Sequence, residues 1–316
     1  MKNRSLLVIA LFLLVTYVIS AQEQPKALKV VCYNTHLFGG TIPAWFGKTF
    51  YLDNKRLKII AERLKASNAD VIGLSEVWAT KNKCRLAKVL GEEYRYQFID
   101  KRYSGLVLYS KYPIENKEFI PFTNLCKADK LSKKGFLSCR IIVPNQGAVH
   151  LIMTHLQADY DKDYYQTKEA RTANLWQIRR KIAAICDSIP VICMGDFNVI
   201  GEYVETEYET EEYRAMKEAF EAVHLVDAFR SLHPKEAGYT YSKENCLIKR
   251  FYAKEANSQW RLDYIFCSGV HHLSPLEVKV LRDYQFPKEE QAKLPKKYTC
   301  FELSDHYPLM ATFKFK

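Results

Sequence analysis

Several segments of this 316-residue chain set a group that can bind a cation, hold a phosphate or move a proton at the end of an apolar run. Asn34 follows Lys-Val-Val-Cys-Tyr, Glu76 follows Asp-Val-Ile-Gly-Leu-Ser, His155 follows His-Leu-Ile-Met-Thr, and Asp196 with Asn198 follows Val-Ile-Cys-Met-Gly. Asp305 and His306 stand just ahead of the apolar run that closes the chain. Alone, each reads as a cap or turn residue, because short polar side chains bond the local backbone. Together they offer oxygen and imidazole donors without a thiolate, a set that suits a hard cation such as Mg²⁺. Such an ion keeps several waters and takes one or two protein carboxylates, which leaves coordination free for a phosphate.

The elements that must position these groups are short apolar runs alternating with amphipathic stretches. Strands are predicted at Leu28 to Tyr33, Val71 to Leu74, Gly105 to Tyr109, Phe136 to Val143, Val149 to Thr154, Val191 to Met194, Leu262 to Phe266 and Tyr307 to Phe313. Leu57, Ile60, Ala61 and Leu64 share one helical face, as do Leu175, Ile178, Ile182 and Ile185. No Pro/Gly-rich break divides the chain, so one α/β domain with helices packed outside sheets is expected. In such folds functional groups gather at strand ends, where a buried strand fixes the backbone and a loop opens the site. The stretches Glu202 to Tyr213 and Lys288 to Lys297 read as solvated loops or helix ends.

Lys2 and Arg4 precede the apolar run Leu6 to Ile19, followed by Ser20 and Ala21. This predicts a cleaved signal peptide over residues 1–21 and a mature domain over 22–316, located outside the cell or in a periplasm; the run is short for a bilayer span, and a retained anchor is the other reading. Removing Lys2 and Arg4 from the 47 basic residues leaves 45 against 36 acidic ones, a charge of +9. That surplus suits an anionic partner without choosing nucleic acid, phosphate ester or acidic membrane. Nine cysteines in an exported chain leave at least one unpaired. Cys32, Cys193 and Cys267 lie in apolar runs and read as buried thiols, while Cys126 and Cys139, flanking a polar loop, are the first candidates for a disulfide. No Cys/His spacing points to zinc.

The segments YNTH at Asn34, LSEVW at Glu76, THLQAD at His155, GDFNV at Asp196 and Asn198, RLDYIF at Asp263 and LSDHYP at His306 resemble, in order and spacing, the endonuclease/exonuclease/phosphatase superfamily. The resemblance runs from about Val30 to Phe313 and implies a four-layer α/β sandwich, DNase-I-like, with two central mixed sheets flanked by helices. It implies Glu76 as a metal ligand, with Asn34 at the metal and phosphate and Asp305 as a carboxylate near the metal. His306 is implied as the general base, oriented by Asp263. Asp196 and Asn198 would position the nucleophile and the phosphate, and His155 would stabilise or protonate the leaving alkoxide. Asn34, Asn198 and His155 would therefore also bind substrate. For Asp263 a plain salt bridge to Arg261 is the alternative role.

Three further segments are similar to secreted neutral sphingomyelinases: DKLSKKGFL from Asp129, THLQAD with the following Arg171 and Gln177, and GYTYSKENCLIK ahead of RLDY. The resemblance implies hydrolysis of sphingomyelin to ceramide and phosphocholine with Mg²⁺, or Mn²⁺ or Co²⁺ in its place. The partner is then a sphingolipid in a membrane surface, and no stable protein partner is implied. A secreted DNase-type nuclease is the rival and would use the positive charge on a nucleic-acid backbone, but no basic run with interleaved aromatics stands out. A non-catalytic binding protein of the same fold is the third reading. Ile42, Pro43, Trp45, Phe46, Phe50 and Tyr51 form an aromatic-rich loop that could rest at headgroup level. Lys288 to Lys297 is too polar for the apolar hairpin that haemolytic bacterial members insert.

Overall fold

Period-two alternation builds the layers. A computed structural model describes residues 27–39, 52–100, 103–160, 163–185, 187, 189–203, 208–268 and 272–316. In chain order these form β1 (Leu28–Leu37), α1 (Asp53–Ala66), β2 (Val71–Val77), α2 (Thr80–Leu90), β3 (Tyr96–Ile99), β4 (Val107–Ser110), β5 (Ile114–Pro121), β6 (Gly135–Val143) and β7 (Gly147–His155). They continue with α3 (Tyr164–Ala183), β8 (Val191–Asp196), α4 (Glu211–Glu221), β9 (Val226–Asp227), β10 (Asp263–Cys267), β11 (Leu273–Val280) and β12 (Leu309–Phe315), joined by shorter turns and helices.

Two six-stranded sheets result, in the orders β11-β12-β1-β2-β4-β3 and β9-β10-β8-β7-β6-β5. Each is mixed, with one parallel pair at its centre: β1 with β2, and β7 with β8. Val30, Cys32, Val71 and Leu108 of the first sheet meet Leu151, Met153, Ile192 and Met194 of the second in one core. The alternate residues Val31, Tyr33, Ile72 and Leu74 turn outward onto Leu57, Ile60 and Leu64 of α1 and Leu86 and Leu90 of α2. On the far side, Ile152 and Cys193 meet Leu175, Ile178 and Ile182 of α3 and Met216 and Phe220 of α4. Helix, sheet, sheet, helix is the expected four-layer order.

The predicted strands are all present. β1 and β2 run further than expected, to Leu37 and Val77, because their parallel pairing resumes after a register shift between Asn34 and Leu37. Asn34 and Glu76 thus lie within strands and not after them. β3, β5, β9 and β11 were not predicted; the charged face of β5 (Glu115, Lys117, Glu118) hides its period.

The disulfide joins Cys246 to Cys300, and Cys126 and Cys139 are both free, contrary to expectation. Cys139 points into the inter-sheet core beside Leu137 and Ile141, away from the loop that Cys126 borders. Cys32, Cys193 and Cys267 are buried free thiols, as expected. Glu202 also departs from the reading as a solvated residue, because it pairs with the buried Arg261 at 2.9 Å. Lys288–Ala292 forms a short helix.

Candidate active site

The site continues the inter-sheet core by the same alternation. After Val30 and Cys32 the next inward position of β1 is Asn34; after Leu151 and Met153 that of β7 is His155. After Ile192 and Met194 that of β8 is Asp196, and on β10 Asp263 precedes the inward Ile265 and Cys267. Where the apolar layer stops, the pleat therefore places four polar side chains on facing sheets. All four are at least 97% buried. Gly195 lets β7 and β8 close up at this point: its φ is +144°, and a Cβ there would sit 2.0 Å from the Thr154 carbonyl oxygen.

Glu76 does not follow the pleat. Ile72 and Leu74 face the helix layer, and two residues on Glu76 would do the same. Its φ of +58°, rare for a residue with a Cβ, breaks the alternation. Burial and then the charge of Asp305, with a smaller push from Asp196, raise its carboxyl to about 8, while Lys134 and His306 oppose the shift. Its Oε2 is buried with no hydrogen-bond partner.

Two hydrogen bonds tie the sheets together across the site. Asn34 Nδ2 donates to Asp196 Oδ2 at 2.8 Å, and His306 Nδ1 meets Asp263 Oδ2 at 2.8 Å. The Asn198 backbone N–H donates to Asp196 Oδ1 at 2.9 Å, and the Asn198 side chain donates to the Leu156 carbonyl at 3.1 Å. Asp196 Oδ2 lies 3.5 Å from His155 Nε2 and 3.9 Å from His306 Nε2, between the two imidazoles. Burial raises Asp196 to about 6, although His306 opposes the shift.

The two histidines are held in opposite states. Burial works against the His306 cation, but Asp263 and Asp196 outweigh it and hold its pKa well above the usual range. Burial and the neighbouring Lys134 hold His155 well below that range. Burial also works against the charge of Asp305, but His36, His306 and the Ser304 hydroxyl keep its carboxyl low.

The structure brings together all eight predicted residues. Arg261 pairs with Asp227 at 2.5 Å and with Glu202, whereas Asp263 is hydrogen-bonded to His306. Asp196, Asp263 and His306 form the one group of three acidic or imidazole side chains among the described residues that could share an ion. Two of its members are already committed to each other in the Asp263–His306 hydrogen bond. Asn34, Glu76 and Asp305 supply the oxygen-only alternative, with the unpartnered Glu76 Oε2 at its centre.

Three further residues escaped the sequence reading. Lys134 is 2% exposed; its Nζ lies 3.1 Å from His155 Nε2 and 2.9 Å from Asp129 Oδ2, and donates to the Leu156 carbonyl. A pair of lysines, Lys133 and Lys134, opening the apolar run Gly-Phe-Leu was the signal for it. His36 stacks on Phe251 at 4.5 Å, and its Nε2 lies 3.1 Å from the Tyr252 hydroxyl and 3.8 Å from Asp305 Oδ2. His36 sat in view two residues past Asn34, but Tyr252 carries no periodic signal.

The Endonuclease/Exonuclease/phosphatase family model matches residues 32–306. The sphingomyelinase C of Bacillus cereus is 30% identical over 330 aligned residues, which cover 94% of this chain and 92% of the relative. The crystal structure of SmcL superposes with a TM-score of 0.72 at 25% identity, covering 92% of this chain and all of that one. A Staphylococcus aureus beta toxin variant with bound magnesium ions shares the fold at a TM-score of 0.68 and 21% identity, covering 90% of this chain and 99% of the toxin.

Proposed function

This chain belongs to the endonuclease/exonuclease/phosphatase family, and from that premise we propose that it is a neutral sphingomyelinase. As a phosphodiester hydrolase it would cut sphingomyelin to ceramide and phosphocholine. The observation that carries this reading is the 30% identity to a sphingomyelinase C along nearly the full length of both chains. The mature domain would span residues 22–316 after removal of residues 1–21, and would act outside the cell or in a periplasm. Residues 1–26 and the aromatic loop Ile42 to Tyr51 lie outside the described residues. Among the described residues no helix is long and apolar enough to cross a membrane.

A divalent cation fits the site on the evidence of its donors. The half-buried Glu76 and the buried Asp305 are close enough for one charge to raise the pKa of the other, and a dication between them would relieve both that repulsion and the unpartnered Glu76 Oε2. Asn34 Oδ1, which accepts only the His36 N–H at 3.2 Å, has a lone pair to spare. Mg²⁺ is the proposed ion, with Mn²⁺ or Co²⁺ as substitutes; when bound it would polarise the phosphoryl oxygens and offset charge on the leaving oxygen.

The chain's own groups then divide the work. Asp263 fixes the His306 tautomer through Nδ1, so Nε2 faces the site and, in the neutral ring that a dication nearby would favour, can take a proton from the attacking water. Asp196, held by Asn34 and the Asn198 backbone, orients that water, and Asn198 with Asn34 lies against the phosphate. His155 Nε2, 3.1 Å from Lys134 Nζ, also lies 3.5 Å from Asp196 Oδ2 and 4.0 Å from Glu76 Oε1, so it is the ring nitrogen turned to the site. Its contribution at the leaving oxygen would run through that edge of the ring, with Lys134 beside it.

A panel tests the reading: protein with Mg²⁺ or chelator, offered sphingomyelin, phosphatidylcholine and plasmid DNA. Phosphocholine release from sphingomyelin, abolished by chelator, is expected, whereas DNA cleavage alone would replace this reading with a nuclease. His306→Ala should lower turnover by about 10²–10⁴-fold with the fold intact, the usual worth of one acid–base group. A folded variant with full turnover removes His306 from the mechanism.

A further inference from the structure

We propose that the rim formed by residues 127–133 and the first turn of α3 seats the protein on an anionic phospholipid bilayer. Leu131 is 81% exposed and Tyr165 86%, the two most exposed large apolar side chains among the described residues. Tyr164 stands edge-on to Tyr165, with ring centroids 5.8 Å apart. The Lys127–Asp163 ion pair, at 2.9 Å, joins the two segments side by side. Asp129 reinforces the joint by accepting the Ala158 N–H at 2.7 Å and the Tyr160 hydroxyl at 3.3 Å. The same loop leads directly into Lys134, whose Nζ reaches His155, so this rim borders the site.

Charge points to the occupant. Within the loop, Lys127 pairs with Asp163 and Lys134 with Asp129, which leaves the exposed Lys130 and Lys133 without an acidic partner among the described residues. The nearby Asp159 is engaged by Arg171 at 3.9 Å and by the Thr167 hydroxyl. A protein partner calls for a contiguous apolar patch. Here a single leucine tip and a phenol ring project among lysines, the arrangement that suits the boundary between acyl chains and anionic headgroups. The surface gives the lipid hydrolase proposed above its means of reaching a membrane substrate and rests on that reading, but it is tested without that substrate.

The test is cosedimentation with phosphatidylcholine vesicles, with and without phosphatidylserine and free of sphingomyelin. Leu131→Glu combined with Tyr165→Glu is expected to weaken partitioning at least about tenfold, from the apolar area no longer buried. Lys130→Glu with Lys133→Glu should lose about fivefold per lysine at low salt and abolish the dependence on phosphatidylserine. Trp176→Glu, an exposed aromatic further along α3, should change nothing. Unchanged melting temperatures show that the variants fold. Partitioning equal to wild type in both rim variants overturns the proposal, as does a wild-type protein that stays in the supernatant, which would leave the rim to a protein partner. Vesicle binding that persists in a protein inactive on sphingomyelin upholds the surface and removes only the substrate.

Discussion

His306 and His155 flank one carboxylate oxygen yet are driven in opposite directions, and the difference lies in which charged residue each one touches. His306 has Asp263 on Nδ1; His155 has Lys134 on Nε2. Replacing Asp263 by Asn removes the largest influence that raises the His306 pKa, so the basic form should survive to lower pH. The acid limb of the kcat/KM profile then moves to lower pH, while the rate falls by about 10²-fold or more as the imidazole loses its orientation. An acid limb that stays in place would show that another group titrates there. Glu302 makes a separate case away from the reaction. Burial pushes it up to about 7, against the hydrogen bond that Gln285 donates at 2.8 Å. Between about pH 4.5 and 7 the folded chain holds a proton that the unfolded chain has released, so this residue costs stability as pH rises through that window. Glu302→Gln should therefore melt like wild type at pH 5 and be more stable at pH 8, by on the order of 1 kcal/mol.

At the scale of elements, β10 owes its position to the guanidinium just before it. Arg261 is fully buried between Asp227 and Glu202 and lies over the Tyr264 ring at 4.5 Å. Arg261→Met would leave the buried Asp227 without its cation and Glu202 with Arg230 alone, at a cost of about 3–5 kcal/mol. A urea midpoint close to wild type would contradict this. The strands that carry the site were legible because Asn34, His155, Asp196 and Asp263 take the next step of an apolar alternation already visible around them. Glu76 was legible as the polar residue that follows an apolar run and from its motif, whereas the left-handed backbone that takes it off the pleat was not. Lys134 and Tyr252 were not assigned, because nothing in a local pattern shows that a loop lysine or a residue after a short helix will fold back over a strand end. The Cys246–Cys300 pairing was hidden for the same reason: it joins segments 54 residues apart that meet only once both sheets are assembled. Sequence proximity favoured Cys126 with Cys139, and the pleat sent Cys139 the other way.

For the whole molecule, the division between the two sheets matters most. The proposed metal side, Asn34, Glu76 and Asp305, belongs to the first sheet and to the turn leading into its β12; His155, Asp196, Asn198 and Asp263 belong to the second. Within the site the hydrogen bonds Asn34–Asp196 and His306–Asp263 bridge them, with the longer His306–Asp196 and His155–Glu76 approaches at 3.9 and 4.0 Å beside them. Their spacing is set deeper in the core, where Met153 and Met194 of the second sheet lie against Gly73, three residues before Glu76. A Cβ on Gly73 would meet Met153 Sδ at 2.6 Å and the Met194 methyl at 2.7 Å. Reaction rate thus becomes a gauge of the gap between two walls. Gly73→Ala wedges that gap without touching substrate, and should lower kcat well beyond what its melting temperature suggests; Met153→Ala, by clearing the room, should restore part of it. Full rate in Gly73→Ala would mean that the gap has slack, and that the two halves of the site tolerate being moved apart.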